Sequence, residues 1–284
     1  MTCLTGVAGG VTAVTGFEKG SGKTTFLNAL LPLAREAGPV ALFSVGVDGG
    51  LKAKGAAGAA EVRVEPGDVV LTTDLLARAS PARLEILEAL DGRSVLGRPV
   101  LGRAVRGGEV TLAGPENLAA LSAAIDLARR EGWAASSLVD GAASRVTQVS
   151  ALGDAAFVFT VRVDRGNLAR VAERLRALVA LAELPVLPGP PPGALRLEGP
   201  LTETVRDTLP EGLAALSLED FTKSFLPPAG LLRLLGSVAL SVRRGFRLLG
   251  IVAALRDVTR DELEEAVGPA VSARLLANPY EVRA

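Results

Sequence analysis

The segment VTAVTGFEKGSGKTTFLNALL, from Val11 to Leu31, carries the residue types best suited to chemistry in this chain. Gly20 and Gly22 let the backbone curl so that several amides point at one anion, and Lys23 adds a positive point charge beside them. Thr24 offers a hydroxyl to Mg²⁺, with Ser21 and Thr25 flanking it. The amphipathic stretch that starts at Lys23 would supply helix N-terminal amides and the helix dipole. An apolar strand, a glycine loop, Lys-Thr-Thr and a helix, in that order, describe a site for the β and γ phosphates of a nucleotide. The usual spacing Gly-x-x-x-x-Gly-Lys-Thr, however, puts its first glycine on Phe17. A glycine-rich helix start that binds nothing is the competing reading.

Phosphoryl transfer also needs an acid to hold or orient the metal and its waters, because catalysis there is mostly positioning and electrostatics. Asp140 ends the apolar run SSLVD and precedes Gly141, as such an acid would. In a parallel sheet its strand would finish beside the phosphate loop. Asp48, in VGVDGG, is a second metal candidate and equally an ordinary Asp-Gly turn. Arg145 and Lys19 are candidates to neutralise transition-state charge, against the plainer reading of solvated surface cations. Asp74 follows TT and precedes helix-forming residues, so it reads as a cap. Asp164 and Arg165 read as the closure of a turn rather than as base contacts.

Composition narrows the chemistry further. The chain has no histidine and one cysteine, Cys3, which removes the commonest general base, the commonest transition-metal ligand and any internal disulfide framework. Lys plus Arg and Asp plus Glu balance at 31 each, so no overall field favours nucleic acid or an anionic membrane. At 284 residues and 49% hydrophobic content, a substantial core is expected. MTCLTGVAGG lacks the basic flank and apolar run of a signal peptide, and no apolar run reaches the roughly 18 residues of a membrane span. A cytoplasmic protein without a membrane partner is expected.

Short β-rich runs, glycine turns and longer amphipathic segments alternate along the chain. That rhythm predicts an α/β fold: a mostly parallel twisted sheet with helices on both faces, in a three-layer P-loop NTPase-like architecture. Strands are expected at 11–15, 40–45 and 68–73, and a helix over 23–37 closed by Gly38 and Pro39. Ser80 followed by Pro81 predicts a helix running to about Leu90. RPVLGRAVR and EVTLAG, flanking Gly107 and Gly108, predict a hairpin. A helix over 115–131, strands ending at Asp140 and spanning AAFVFTVRV, and a helix over 167–184 follow. The Pro/Gly-rich LPVLPGPPPG is the best candidate for a linker or rigid loop, giving a nucleotide-binding core at 1–184 and an α/β extension at 185–284 that is expected to pack on the same sheet. Thr259 with Glu262 is a capping-box pattern opening the last helix.

TGFEKGSGKTT, FSVGVDGG, VVLTTDLLARASPARLEILEAL, GEVTLAGPENLAAL, LVDGAASR, LEGPLTETVRDTL, EDFTKSFL and ANPY occur in order from Gly16 to Pro279. Together they resemble the smaller, nucleotide-binding subunit of the lysine 5,6-aminomutase reactivase, most of all in TLAGPENLAAL, VDGAASR and DFTK. The family's loop reads Gly, two residues, Lys, two residues, Gly-Lys-Thr, matched here by Gly16, Lys19, Gly22, Lys23 and Thr24, with Gly20 additional.

The resemblance implies an ATPase that works with Mg²⁺ and a larger MutS-like subunit to expel damaged cobalamin from an adenosylcobalamin-dependent aminomutase. It also implies that Asp140, Ser144 and Arg145 form an acidic strand end and switch-like loop, with Asp220 and Lys223 a further family motif. Without a histidine base, slow intrinsic turnover stimulated by the partner is expected. The alternatives are a GTP-binding accessory protein for metal or cofactor insertion and a non-hydrolysing P-loop interaction module. The former would carry an Asn/Thr-Lys-x-Asp element and metal-binding Cys or His, and neither occurs in the sequence.

Overall fold

The computed structural model describes residues 4–18, 20–45, 61–92, 96–115, 117–141, 155–245 and 247–279. Contacts divide the chain into two compact units, 1–161 with 277–284, and 162–276. The fold is α/β, with a large, mostly parallel sheet and helices.

In the first unit, β1 (Val11–Gly16) runs into α1 (Lys23–Ala34), then β2 (Val40–Ser44), β3 (Glu61–Val64), β4 (Val69–Thr73) and α2 (Asp74–Ala79). β5 (Arg83–Ala89), β6 (Pro99–Arg106), β7 (Gly108–Thr111), α3 (Leu118–Arg130), β8 (Ser136–Asp140) and β9 (Ala156–Val163, its last two residues in the second unit) follow. The strand order is β9-β1-β8-β2-β4-β6-β5. Pairing is parallel from β9 through β4 and antiparallel for β6 and β5. β1 and β8 are buried along their whole length, the signature of parallel strands covered on both sides. Leu27, Leu42, Phe43, Leu71, Leu138 and Phe157 are among the fully buried side chains that α1 and these strands bring together.

Two expectations are corrected here. Residues 83–89 form a strand, not the helix predicted from Ser80. RLEILEA is rich in helix formers, and pairing along β6 makes it a strand, with tertiary context overriding propensity. The Ser80 hydroxyl donates to the Glu109 carbonyl at 2.7 Å instead of opening a helix. The helix lies earlier, with the Thr73 hydroxyl accepting from Leu76 N. The hairpin is also absent: β6 pairs with β4 and β5, while β7 pairs antiparallel with β3 in a separate small sheet. Gly107 alone joins β6 to β7, too short a link for a hairpin turn, and both edges of β6 are already occupied.

A buried carboxylate ties the far end of α1 to the sheet. Asp68, 2% exposed, accepts from the Arg35 guanidinium at 2.5 and 3.2 Å and from the amides of Val40 and Glu65. Asn28 ties the same helix to β3 through hydrogen bonds with the backbone of Glu61 and Arg63.

The second unit holds α4 (Leu168–Ala182), β10 (Leu195–Arg196), α5 (Glu203–Asp207), β11 (Ala215–Leu218), α6 (Pro228–Leu235), β12 (Ala239–Val242), β13 (Arg247–Leu255), α7 (Arg260–Val267), α8 (Pro269–Ser272) and β14 (Leu275–Leu276). β10, β11 and β12 form a small parallel sheet whose Leu216, Leu218, Leu240 and Val242 share a core with Leu231 and Leu234 of α6. The capping box of Thr259 and Glu262 is present at α7. No described helix is long and apolar enough to cross a membrane.

Beyond β11, a hydrogen bond from Lys223 holds the Glu219 carboxyl below its ordinary range, with Arg244 adding to the effect.

Asp68→Ala should leave Arg35 and two backbone amides without their partner and lower the stability of the first unit by about 3 kcal/mol, measured by urea unfolding. Because the folded pKa of Glu219 is depressed, its stabilisation is complete above the unfolded carboxyl value, about 4.3, and is lost as the pH falls through the lower folded value. Glu219→Gln should therefore show a shallower fall in melting temperature over that acid window.

Candidate functional site

β1 ends at Gly16 with β9 pressed against it. A Cβ at Gly16 would lie 2.3 Å from the Thr160 carbonyl oxygen and 2.6 Å from Ser21 Oγ, so only glycine fits. Phe17 leaves this crowded point with its ring beside that of Phe159 on β9, centroids 5.6 Å apart. The aromatic side chain at the position where a glycine is usual therefore packs on the neighbouring strand.

Gly20 and Gly22 adopt φ of +78° and +84°, the left-handed region that L side chains disfavour. Gly22 is the N-cap of α1, which has neither a side-chain cap nor an acidic residue in its first turn. The amides that open an α-helix have no intrahelical acceptor, and with no acidic residue in that first turn this end of α1 suits an anion. Lys23 Nζ reaches back over the loop, donating to the Glu18 carbonyl at 2.8 Å and, at the long limit of 3.5 Å, to Ser21 Oγ. Ser21 is buried and bonded to Thr160, while Thr25 lies exposed one residue beyond Thr24.

The acid arrives from the adjacent strand. β8 pairs in parallel with β1, with Val14 opposite Asp140, so Asp140 stands at the edge from which the loop departs. Thr24 Oγ1 donates to Asp140 Oδ2 at 2.9 Å across 116 residues of sequence. Asp140 is buried, at 8% exposure. A hydroxyl that spends its proton on a carboxylate keeps its lone pairs for another partner. This pair of hard oxygen donors fits Mg²⁺, which is commonly held by one or two carboxylates together with substrate phosphates rather than by an all-protein cage. Among the described residues no group of three or more Asp, Glu, Cys or His could hold a metal.

Gly16, Gly20, Ser21, Gly22, Lys23, Thr24, Thr25 and Asp140 thus lie along one loop and the strand end beside it. Lys19, Asp48, Ser144 and Arg145 fall outside the described residues. Asp74 is structural: its carboxylate accepts from the Leu75 and Arg98 amides. Asp164 closes the turn into α4 through Asn167, and Arg165 pairs with Glu262. In the second unit, Asp220 caps the short turn Phe221–Lys223 and bonds Arg244, while Lys223 pairs with Glu219. Thr160 was not anticipated from sequence. The signal was present as a lone hydroxyl in the apolar run AFVFTVRV, 1% exposed in the structure.

Comparison of the chain with protein-family models, with curated proteins and with solved structures gave no match in any of the three.

Two substitutions test this geometry as a site for MgATP. Lys23→Ala should weaken ATP binding by about tenfold or more, read by calorimetric titration, because the cation over the loop is lost. Asp140→Asn should reduce Mg²⁺-dependent turnover more than it reduces nucleotide affinity. Equal loss of both would assign Asp140 a structural role.

Proposed function

We propose that this chain is a P-loop ATPase of three-layer architecture and the nucleotide-binding subunit of a reactivating factor for an adenosylcobalamin-dependent aminomutase of the lysine 5,6-aminomutase type. The observation that carries the nucleotide part is the 2.9 Å hydrogen bond from Thr24 to Asp140 beside the loop of Gly20, Gly22 and Lys23. The pairing links the two oxygen donors expected of a metal-nucleotide site, contributed by residues 116 positions apart. The client and the larger MutS-like partner rest on the ordered sequence resemblance.

In this reading the loop amides and Lys23 hold the β and γ phosphates, and Thr24 and Asp140 hold Mg²⁺, which neutralises charge on the phosphates when bound. Asp140 also orients water next to the cation. Phosphoryl transfer depends chiefly on such placement, so a site without histidine is competent, with turnover slow alone and stimulated by the partner. Release of damaged cobalamin then requires that the nucleotide-bound factor contact open and closed aminomutase unequally, since only differential binding moves an equilibrium. The aminomutase, not this chain, holds the cobalamin.

The test uses a lysine aminomutase from the same genome, inactivated by turnover. This chain, its partner, ATP, Mg²⁺ and fresh adenosylcobalamin should restore activity, and Lys23→Ala should not. Absence of recovery with the cognate enzyme and partner would overturn the reactivating role, while Lys23-dependent ATP binding would still stand as a separate result.

A further inference from the structure

We propose that Thr160 is a positioning residue of the phosphate loop, setting the orientation of Ser21 and, through it, of Lys23 before a nucleoside triphosphate binds. The inference rests on the reading of that loop as a nucleotide site. Thr160 lies on β9 among Phe157, Val158, Phe159 and Val161, all buried. Its hydroxyl donates to the Thr15 carbonyl at 3.2 Å, which uses its single proton. The 2.8 Å contact between Thr160 Oγ1 and Ser21 Oγ is then donated by Ser21.

With its own proton spent, Ser21 Oγ can only accept from Lys23 Nζ, 3.5 Å away, a group that only donates. The bonds therefore run one way: Lys23 to Ser21, Ser21 to Thr160, Thr160 to the backbone of β1. Hydrogen bonds aligned in this manner polarise one another, most effectively where water is excluded, and Ser21 is 3% exposed.

Gly16, where the Thr160 carbonyl oxygen at 2.3 Å already excludes a Cβ, also leaves room for the contact between Ser21 and Thr160. A Cβ there would fall 2.8 Å from Thr160 Oγ1 and 2.6 Å from Ser21 Oγ, driving apart the two hydroxyls that meet above it. Without the Thr160 hydroxyl, the buried Ser21 hydroxyl loses its acceptor and must turn elsewhere in the loop. Lys23 then keeps the Glu18 carbonyl but not a fixed second partner in Ser21.

MgATP is titrated calorimetrically into the full chain and into Thr160→Val, Thr160→Ser, Ser21→Ala and the double variant Ser21→Ala/Thr160→Val, with melting temperatures alongside. Thr160→Val keeps the shape without the hydroxyl and should bind about tenfold more weakly, the scale of one hydrogen bond in a charged network. Thr160→Ser should recover most of that loss. Ser21→Ala, which leaves the bond from Thr160 to Thr15 in place, should weaken binding similarly. The double variant should be no weaker than either single one, because both remove the same coupling. Wild-type affinity in Thr160→Val, or multiplying losses in the double variant, would overturn the proposal. If Thr160→Val is destabilised, Ser21→Ala and Thr160→Ser still decide it: wild-type affinity in Ser21→Ala overturns it. Lys23→Ala separates the two levels. If it binds as wild type, the loop reading itself fails, whereas if only Thr160→Val binds as wild type, the positioning role alone fails.

Discussion

The parallel pairing of β1 with β8 is the constraint on which the site depends. Parallel strands finish at the same edge of a sheet, so the loop leaving β1 and the carboxylate ending β8 meet there. An antiparallel arrangement would separate them by the length of a strand. The register is equally demanding, since a slip of one residue would turn Asp140 to the opposite face and leave Thr24 without its acceptor. β2 pairs on the other side, with Ser44 opposite Asp140, so neighbours on both flanks fix the end of β8. Buried apolar residues along these strands supply the free energy that holds the register, and the polar site inherits its precision from them.

The opposite flank of β1 sets the shape of the loop. β9 approaches so closely that residue 16 can carry no side chain, and the ring of residue 17 lies beside that of Phe159. β1 therefore closes on Gly16, and Gly20 and Gly22 carry the left-handed backbone that precedes α1. Three further polar side chains of the first unit serve as ties. Asp68 anchors Arg35 and two amides, Asn28 clamps β3, and Thr73 caps α2. The Asp68 and Thr73 groups are buried, where donors and acceptors are costly to leave unpaired.

Legibility in the sequence varied with the range of the interaction involved. The runs forming β1, β2, β8 and β9, the helix begun at Lys23 and the box of Thr259 and Glu262 follow from local periodicity and capping, which a single segment contains. Residues 83–89 misled because Leu, Glu and Ala favour a helix locally, while a place beside β6 makes them a strand. The expected hairpin failed for the same reason, as neither edge of β6 was open to β7. Asp74 and Asp220 are acids in suggestive positions with structural partners: the cap of α2 falls on Thr73, one residue before the expected Asp74, which instead accepts from the Leu75 and Arg98 amides, while Asp220 caps the turn at Thr222 and bonds Arg244.

By itself the sequence determined the α/β rhythm, the glycine-lysine-threonine turn and an apolar strand ending in Asp140, because strand and helix periodicity and glycine's backbone freedom are properties of short segments. Tertiary structure decided that Asp140 rather than Asp74 faces Thr24, that Phe17 rests on Phe159, and that Thr160 joins the loop at all. Those outcomes depend on which strands lie beside β1 and in what register. Residues 116 to 145 positions apart become hydrogen-bonded neighbours only when the buried sheet has chosen its order.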